Sequence, residues 1–328
     1  MKSKWLYCLA ALLCLSVSCA CAETSMQYTS VSDFSEGLAC VFNADGLAGF
    51  IDETGRQAIP CQWVSAGSFS QGLAPVADHW RYGFIDHQGN PAIPCQWEWA
   101  GPFHEGLAVV GRNNKYGYIG LDGQLVIPCE WDAAWAFSEG LAVVSRDGRF
   151  GYIDTTGALV VPAEWDYAWP FSEHLGMVRK DGKKAYIDAE GHTFTIGGWD
   201  NFLPFSEGLS AVRKDGKWGY IEHSGTAVIP PQWDSAFSFH EGLARVLKNG
   251  TWQYIDTAGK VVFRGPDGGD FQQGVARVLD GLQGAVDRQG RVILPCLYTT
   301  VGIGENALAA VRDGMLYIFD KAGNQLSP

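Results

Sequence analysis

Between Leu141 and Asp154 apolar and polar side chains alternate on either side of a tight turn: Leu141 to Arg146, then Asp147-Gly148, then Arg149 to Asp154. Period-two alternation flanking Asp-Gly predicts an antiparallel hairpin, because that dipeptide accepts the positive φ values of a two-residue turn. Thr155-Thr156-Gly157 reverses the chain again, and Leu159-Val160-Val161 predicts a third strand that runs into Pro162. Proline has no amide to donate, so pairing on one side stops there or a bulge forms. From residue 23 onward no stretch carries the i, i+3, i+4, i+7 spacing of a long amphipathic helix, and all 41 glycines and all 14 prolines fall there and interrupt the chain every few residues. The pattern predicts an all-β fold, with room for one-turn helices only at the step Phe-Ser-Glu-Gly.

That step is the mark of a repeat. Phe-Ser-Glu-Gly-Leu-Ala or a variant begins at Phe34, Phe69, Phe103, Phe137, Phe171, Phe205 and Phe239, and in worn form at Phe271 and Ile303. The interval is 34 or 35 residues as far as Phe239 and 32 thereafter, which gives nine copies of one unit. Self-similarity of this period belongs to solenoids, propellers and arrays. Turn chemistry repeats with the apolar pattern. Asp181-Gly182, Asp215-Gly216, Asn249-Gly250 and Asp313-Gly314 occupy the first turn, and a glycine recurs at the second in all nine units, from Gly55 to Gly323. Nine glycines at one locus mark a backbone that needs positive φ. The acids before them, among them Asp52, Asp86, Asp154, Asp188, Glu222, Asp256 and Asp287, suit an Asx-type turn, and Gly120 stands there in the third unit.

Three short strands per unit fit two architectures. Hairpins stack into an open superhelix, or each meander is a blade of a closed propeller. Propeller blades usually carry four strands in about 40 or more residues, so a shorter three-stranded unit favours the open β-solenoid-like array. In the other direction, the segment from Met26 to Phe34 looks like a third strand and the chain ends soon after a second one, so the ends are able to complement each other.

The sequence Phe-Ser-Glu-Gly-Leu-Ala, then aromatic-Gly-Tyr-Ile-Asp-x-x-Gly, then Val-Ile-Pro-x-x-Trp resembles the WG-repeat (KWG) family, most clearly at Lys217-Trp218-Gly219-Tyr220-Ile221. The resemblance runs from Gln27 to Asn324. Unit five departs from it, with Lys184-Ala185 for aromatic-Gly and Thr195-Ile196-Gly197 for the Ile-Pro step, and the stretch from Phe263 to Gly269 loses the tryptophan. The resemblance implies a bacterial repeat protein that serves as a binding or scaffolding surface. It supplies no catalytic residues.

Composition narrows the setting. Lys2 and Lys4 precede an apolar run from Trp5 to Val17 and a small-residue stretch ending Ala20-Cys21-Ala22. This reads as a secretory signal over residues 1–22, leaving an array over 23–328 that is exported to the periplasm, the cell surface or the medium. The run is shorter than the ~20 residues of a membrane span. Cys19 and Cys21 allow a lipid anchor instead, although Ser16-Val17-Ser18 lacks the usual leucine three positions before Cys19. The formal charge of -12 becomes -14 once Lys2 and Lys4 are gone. Such a chain repels nucleic acid and anionic membranes. Of the remaining cysteines, Cys61, Cys95, Cys129 and Cys296 share one position with Ala163 and Pro231, which points to small buried side chains rather than a disulfide or thiolate site.

Candidate chemistry is then weighed against packing. Trp63, Trp97, Trp131, Trp165, Trp199 and Trp233 form a ladder, one per unit, and are expected in the core, because a 34-residue unit needs a large side chain to bury against its neighbour. Trp99, Trp135 and Trp169 occur irregularly and are the expected ligand contacts. None of the seven histidines has a metal-ligand spacing, and His87, His104, His223 and His240 fall in turns. Glu36, Glu105, Glu139, Glu173, Glu207 and Glu241 recur unit by unit, whereas a glycoside-hydrolase acid pair is singular. No catalytic residue, metal or cofactor is expected. The reading is a non-catalytic binding protein for an unidentified protein or cell-envelope partner, with peptidoglycan or another polysaccharide held on surface aromatics as the alternative.

Overall fold

The computed structural model describes residues 27–195 and 197–327, so the segment expected to be a secretory signal, with Cys19 and Cys21, lies outside the described residues. The described chain forms nine four-stranded antiparallel sheets. Each is a meander whose strands are consecutive in sequence, spanning 28–63, 65–97, 99–131, 133–165, 167–194, 201–233, 235–265, 267–298 and 300–327. These are called blades 1 to 9. The expectation of three strands per unit is corrected to four. The extra one is the first of each blade, built from the segment between the tryptophan and Phe-Ser. It pairs with the Leu-Ala strand, as in Phe103 opposite Ala108, and the Glu-Gly step is the tight turn between them, with φ of 55° at Glu139 and 79° at Gly140. No helix occurs there.

The prolines produce bulges rather than strand ends. In blade 4 the fourth strand runs Leu159–Trp165 through Pro162, and its register against the third slips between Phe150 and Tyr152. The bulge presses the fourth strand onto Gly151, where an added Cβ would lie 2.5 to 2.9 Å from the backbone of Val161 and Ala163. This is why the aromatic is followed by glycine. Gly49, Gly83, Gly117, Gly151, Gly219 and Gly284 all sit beneath such a bulge. Where the bulge is missing the glycine is missing: Gln253 pairs regularly with Arg264, and Ala185 faces a fourth strand reduced to Thr193–Phe194.

The core lies between blades. Leu107, Val109, Tyr118, Ile127 and Trp131 of blade 3 pack with Phe137, Ala142, Val144 and Ile153 of blade 4. Trp97, Trp131 and Trp233 are buried to 3% exposure or less, and Trp63, Trp165 and Trp199 are half-buried. The ladder is packing, as expected. Cations from the next blade cover it, Arg112 and Arg146 each 4.2 Å from the rings of Trp97 and Trp131.

Blade 1 packs on blade 9, so the open superhelix is corrected to a closed, nine-bladed β-propeller. Tyr28, Val31, Ala39 and Val41 share one core with Ala307, Ala309, Val311 and Ile318. The Tyr28 amide donates to Gly314 O at 2.8 Å, and the Ile303 amide to Asp33 Oδ1 at 2.8 Å. Glu53 accepts from the Asn306 side chain at 2.8 Å, a contact between the third turn of one blade and the first turn of the blade before it, of the kind that joins neighbouring blades elsewhere. The physical reason for closure is the angle between blades, set by the burial of the first strand against the preceding blade rather than by the length of the repeat.

Candidate functional site

Antiparallel meanders place the first and third turns of every blade at one end of the ring, and the second turn with the interblade linker at the other. At the first end the repeated glutamates are engaged in joining blades. Glu139 accepts from the amides of Glu173 and His174 at 2.8 Å, Glu105 from those of Glu139 and Gly140, and Glu207 from Gly242. Where a serine precedes this turn residue it donates to the phenylalanine carbonyl one blade on, as Ser138 does to Phe171 O at 2.9 Å. His87 and His223 bridge the same turns, stacked on Phe69 and Phe205 with Nε2 3.0 and 3.3 Å from Glu36 and Glu173. The third-turn acids, expected from the sequence in the second turn of a three-stranded unit, behave as Asx caps. Asp154 Oδ1 accepts from the amides of Thr156 and Ala158, and these bonds, led by the one from the Thr156 hydroxyl, hold its carboxyl below the usual range.

At the other end a second set of acids does the joining, one that the sequence reading missed. Asp132 follows Trp131, pairs with Lys115 of its own blade and accepts from the Asp147 amide of the next at 2.6 Å. Asp166 does so with Arg149 and Asp181, and Asp234 with Lys217 and Asn249. The recurring Trp-Asp step was the available signal. Asp188, Glu190 and His192 bring one ligand atom each within 4.8 Å, but Asp188 already caps its own turn through the His192 amide at 2.8 Å.

Trp99 and Trp169 lie in first strands, and Trp135 directly follows the first strand Ala133–Ala134 of blade 4. Trp99 opens the blade 3 strand Trp99–His104 and is 42% exposed; Trp135 and Trp169 are half-buried. Trp99 is set two residues earlier than the others, yet its indole covers Gly101, the glycine at the position of Trp135, within 2.9 Å of where a Cβ would be. Trp135 and Trp169 belong to one run of rings: Trp135 to Phe150 at 5.8 Å, Phe150 to Tyr167 at 5.1 Å and Tyr167 to Trp169 at 4.5 Å. Trp99 touches Tyr116 at 5.9 Å, apart from that run. The preceding blade fixes the strands. Tyr118 donates to Trp135 O at 2.8 Å and Tyr152 to Trp169 O at 2.7 Å, and burial pushes both phenols up. The five described cysteines are free thiols, with burial pushing Cys40 up to about 12.

The model of the WG containing repeat matches residues 24–45, 49–77, 82–116, 116–149, 150–183, 186–218, 218–252 and 284–317. The chain belongs to the WG-repeat family. The gap from 253 to 283 contains the stretch that lost its tryptophan. Curated protein sequences offer no match. Among solved structures, a eukaryotic initiation factor is 13% identical over 93% of this chain and 95% of its own, with a TM-score of 0.58. That likeness concerns the fold alone. The dihydro-heme d1 dehydrogenase NirN is 13% identical over 92% of this chain and 72% of its own, with a TM-score of 0.44. The extracellular domain of a putative one component system, BT4673 from B. thetaiotaomicron, is 10% identical over 89% and 52%, with a TM-score of 0.39.

Proposed function

We propose that this WG-repeat propeller is an exported, non-catalytic binding protein for a cell-envelope component, and that its contact face is the aromatic rim of blades 3 to 5. One observation carries the reading. Glutamate recurs at the turn that joins blades, whereas the position of Trp135 and Trp169 holds Gly67, Gly101, Leu203, Phe237 and Gly269 in other blades, with Trp99 covering Gly101 from two residues before it. Variation at one surface position is what a selective face requires of a repeated scaffold. The recurrent carboxylates support the non-catalytic part, since each is committed to backbone amides of a neighbouring turn. Export rests on the leader read over residues 1–22. Among the described residues no helix is long and apolar enough to cross a membrane.

The glycan alternative draws on the flat faces that Trp99 and Trp169 offer to a sugar ring. Co-sedimentation of the chain from residue 23 with insoluble peptidoglycan and envelope polysaccharide tests the proposal, beside a Trp99→Ala, Trp135→Ala, Trp169→Ala variant. Saturable binding lost in the variant is expected. Binding that survives the triple substitution places the contact face elsewhere.

A further inference from the structure

Blade 5 is where the repeat breaks, and the break opens a cavity. Its fourth strand ends at Phe194, and the space that the bulged strand fills in other blades is a hollow of about 530 Å³ facing blade 6. Arg179, Lys183, Lys184, Trp199, Asp200 and Phe202 line it. Lys183 stands where Lys115, Arg149 and Lys217 stand in blades 3, 4 and 6, each paired with the aspartate after the tryptophan. In blade 5 that pair is unmade: among the described residues neither Lys183 nor Arg179 forms an ion pair, while Asp200 keeps only its cap on the Asp215 amide at 2.9 Å. Lys184 replaces the aromatic of other blades. Its ammonium donates to Phe202 O at 3.0 Å and lies 5.0 Å from the Trp169 ring, where the run of rings from Trp135 ends. Burial, then the charge of Arg179, pulls its pKa down. Three cations thus face one carboxylate, at the end of a run of tilted aromatic rings, in a chain whose formal charge is -12.

We propose that this cavity is a carboxylate-binding subsite for a saccharide bearing an isolated carboxylate, its sugar rings stacked on the aromatics of blades 4 and 5. The inference rests on the binding role proposed above and names the ligand class. Cations with no ion pair, Arg179 over the Tyr167 ring at 5.8 Å among them, favour a charge-assisted contact beside a partly desolvated wall, and the rings supply area without charge. A long polyanion is disfavoured, because the rest of the surface is acidic and repels it.

Titration calorimetry on the chain from residue 23 compares an aldobiouronic acid with its carboxyl-reduced, neutral disaccharide. The wild type binds the acid at least about tenfold more tightly, the loss expected for one charge-assisted hydrogen bond. Lys184→Met with Arg179→Gln abolishes that preference and leaves the neutral sugar unchanged, and the exposed Lys183→Gln, which carries no folding risk, lowers it by a smaller factor. Equal affinity of the wild type for both sugars, or a preference untouched by either variant, overturns the subsite while leaving the aromatic rim intact. If neither sugar binds but a glutamate-containing tripeptide does, and loses affinity in the variants, the saccharide class is wrong and the partner is a protein. Loss of all sugar binding in Trp135→Ala, Trp169→Ala supports the rim. Full binding in that variant refutes the rim and, with it, the stacked pose.

Discussion

Blades 4 and 5 are neighbours cut from one plan, yet the first is sealed and the second is open. In blade 4 Gly151 lets the bulge at Pro162 settle on the third strand, Arg149 pairs with Asp166, and Phe150 fills the space above. In blade 5 Ala185, Lys184 and the short strand Thr193–Phe194 replace all three, and Lys183 is left unpaired among the described residues. The difference teaches that glycine, bulge and ion pair are one device. Losing the glycine forbids the bulge, and without the bulge the fourth strand no longer carries the acid to its lysine.

Packing offers the largest test of that contrast. Trp131→Ala removes a fully buried indole from a sealed interface and is expected to cost about 3 to 5 kcal/mol, read as a fall in the denaturant midpoint. Trp199→Ala, half-buried at the edge of the open cavity, should cost well under half of that. Similar losses at both sites would mean that the interface between blades 3 and 4 and the one between blades 5 and 6 are equally sealed. The glycine rule comes next. Gly151→Ala forces backbone apart and is expected to cost about 1 to 3 kcal/mol. Ala185→Gly should stay under about 1 kcal/mol, the ordinary entropic penalty of glycine in a strand. If Gly151→Ala is neutral, the bulge does not depend on the glycine.

Acid sensitivity ranks third. The Lys115 side chain first, and then the Asp147 amide, hold the Asp132 carboxyl below the usual carboxylate range. Its ionised form is therefore favoured in the fold, and the stabilisation is complete above the unfolded pKa of about 4 and fades as pH falls through the lower folded value. Asp132→Asn should lower stability at neutral pH and flatten its fall below about pH 4; an unchanged profile would assign acid unfolding to other groups. The smallest effect concerns thiols. Burial raises all five described cysteines, so alkylation of the native protein at pH 8 should be slow and should accelerate on unfolding. Rapid native labelling at one cysteine would expose a local opening.

Much of this was legible before any coordinates. Three of the four strands, the turn glycines, the Asx caps and the buried ladder follow from alternation and turn chemistry, which are local. The first strand of each blade was not. Its pairing in blade 2 is only Ser65 and Ala66 followed by a bridge at Ser70, in a segment of glycine and serine without β-branched side chains. Ring closure escaped because it depends on the tilt between sheets, a property of burial across units that no single unit displays. The recurrence of the glutamates was legible, but that each caps the next blade's turn, 34 residues on, was not. Unit five announced itself as irregular; that Lys184 and Arg179 meet a cavity there needed the neighbouring blade.

The seam between blades 9 and 1 is made by packed faces and a few hydrogen bonds, with every strand of each blade drawn from one stretch of chain. A ring sealed in this way has no shared strand to keep in phase. Duplication or deletion of one 34-residue segment of the gene adds or removes a whole blade and leaves no orphan strand behind. Circumference is therefore a heritable variable in its own right, free to change in single steps while the joints between blades stay the same.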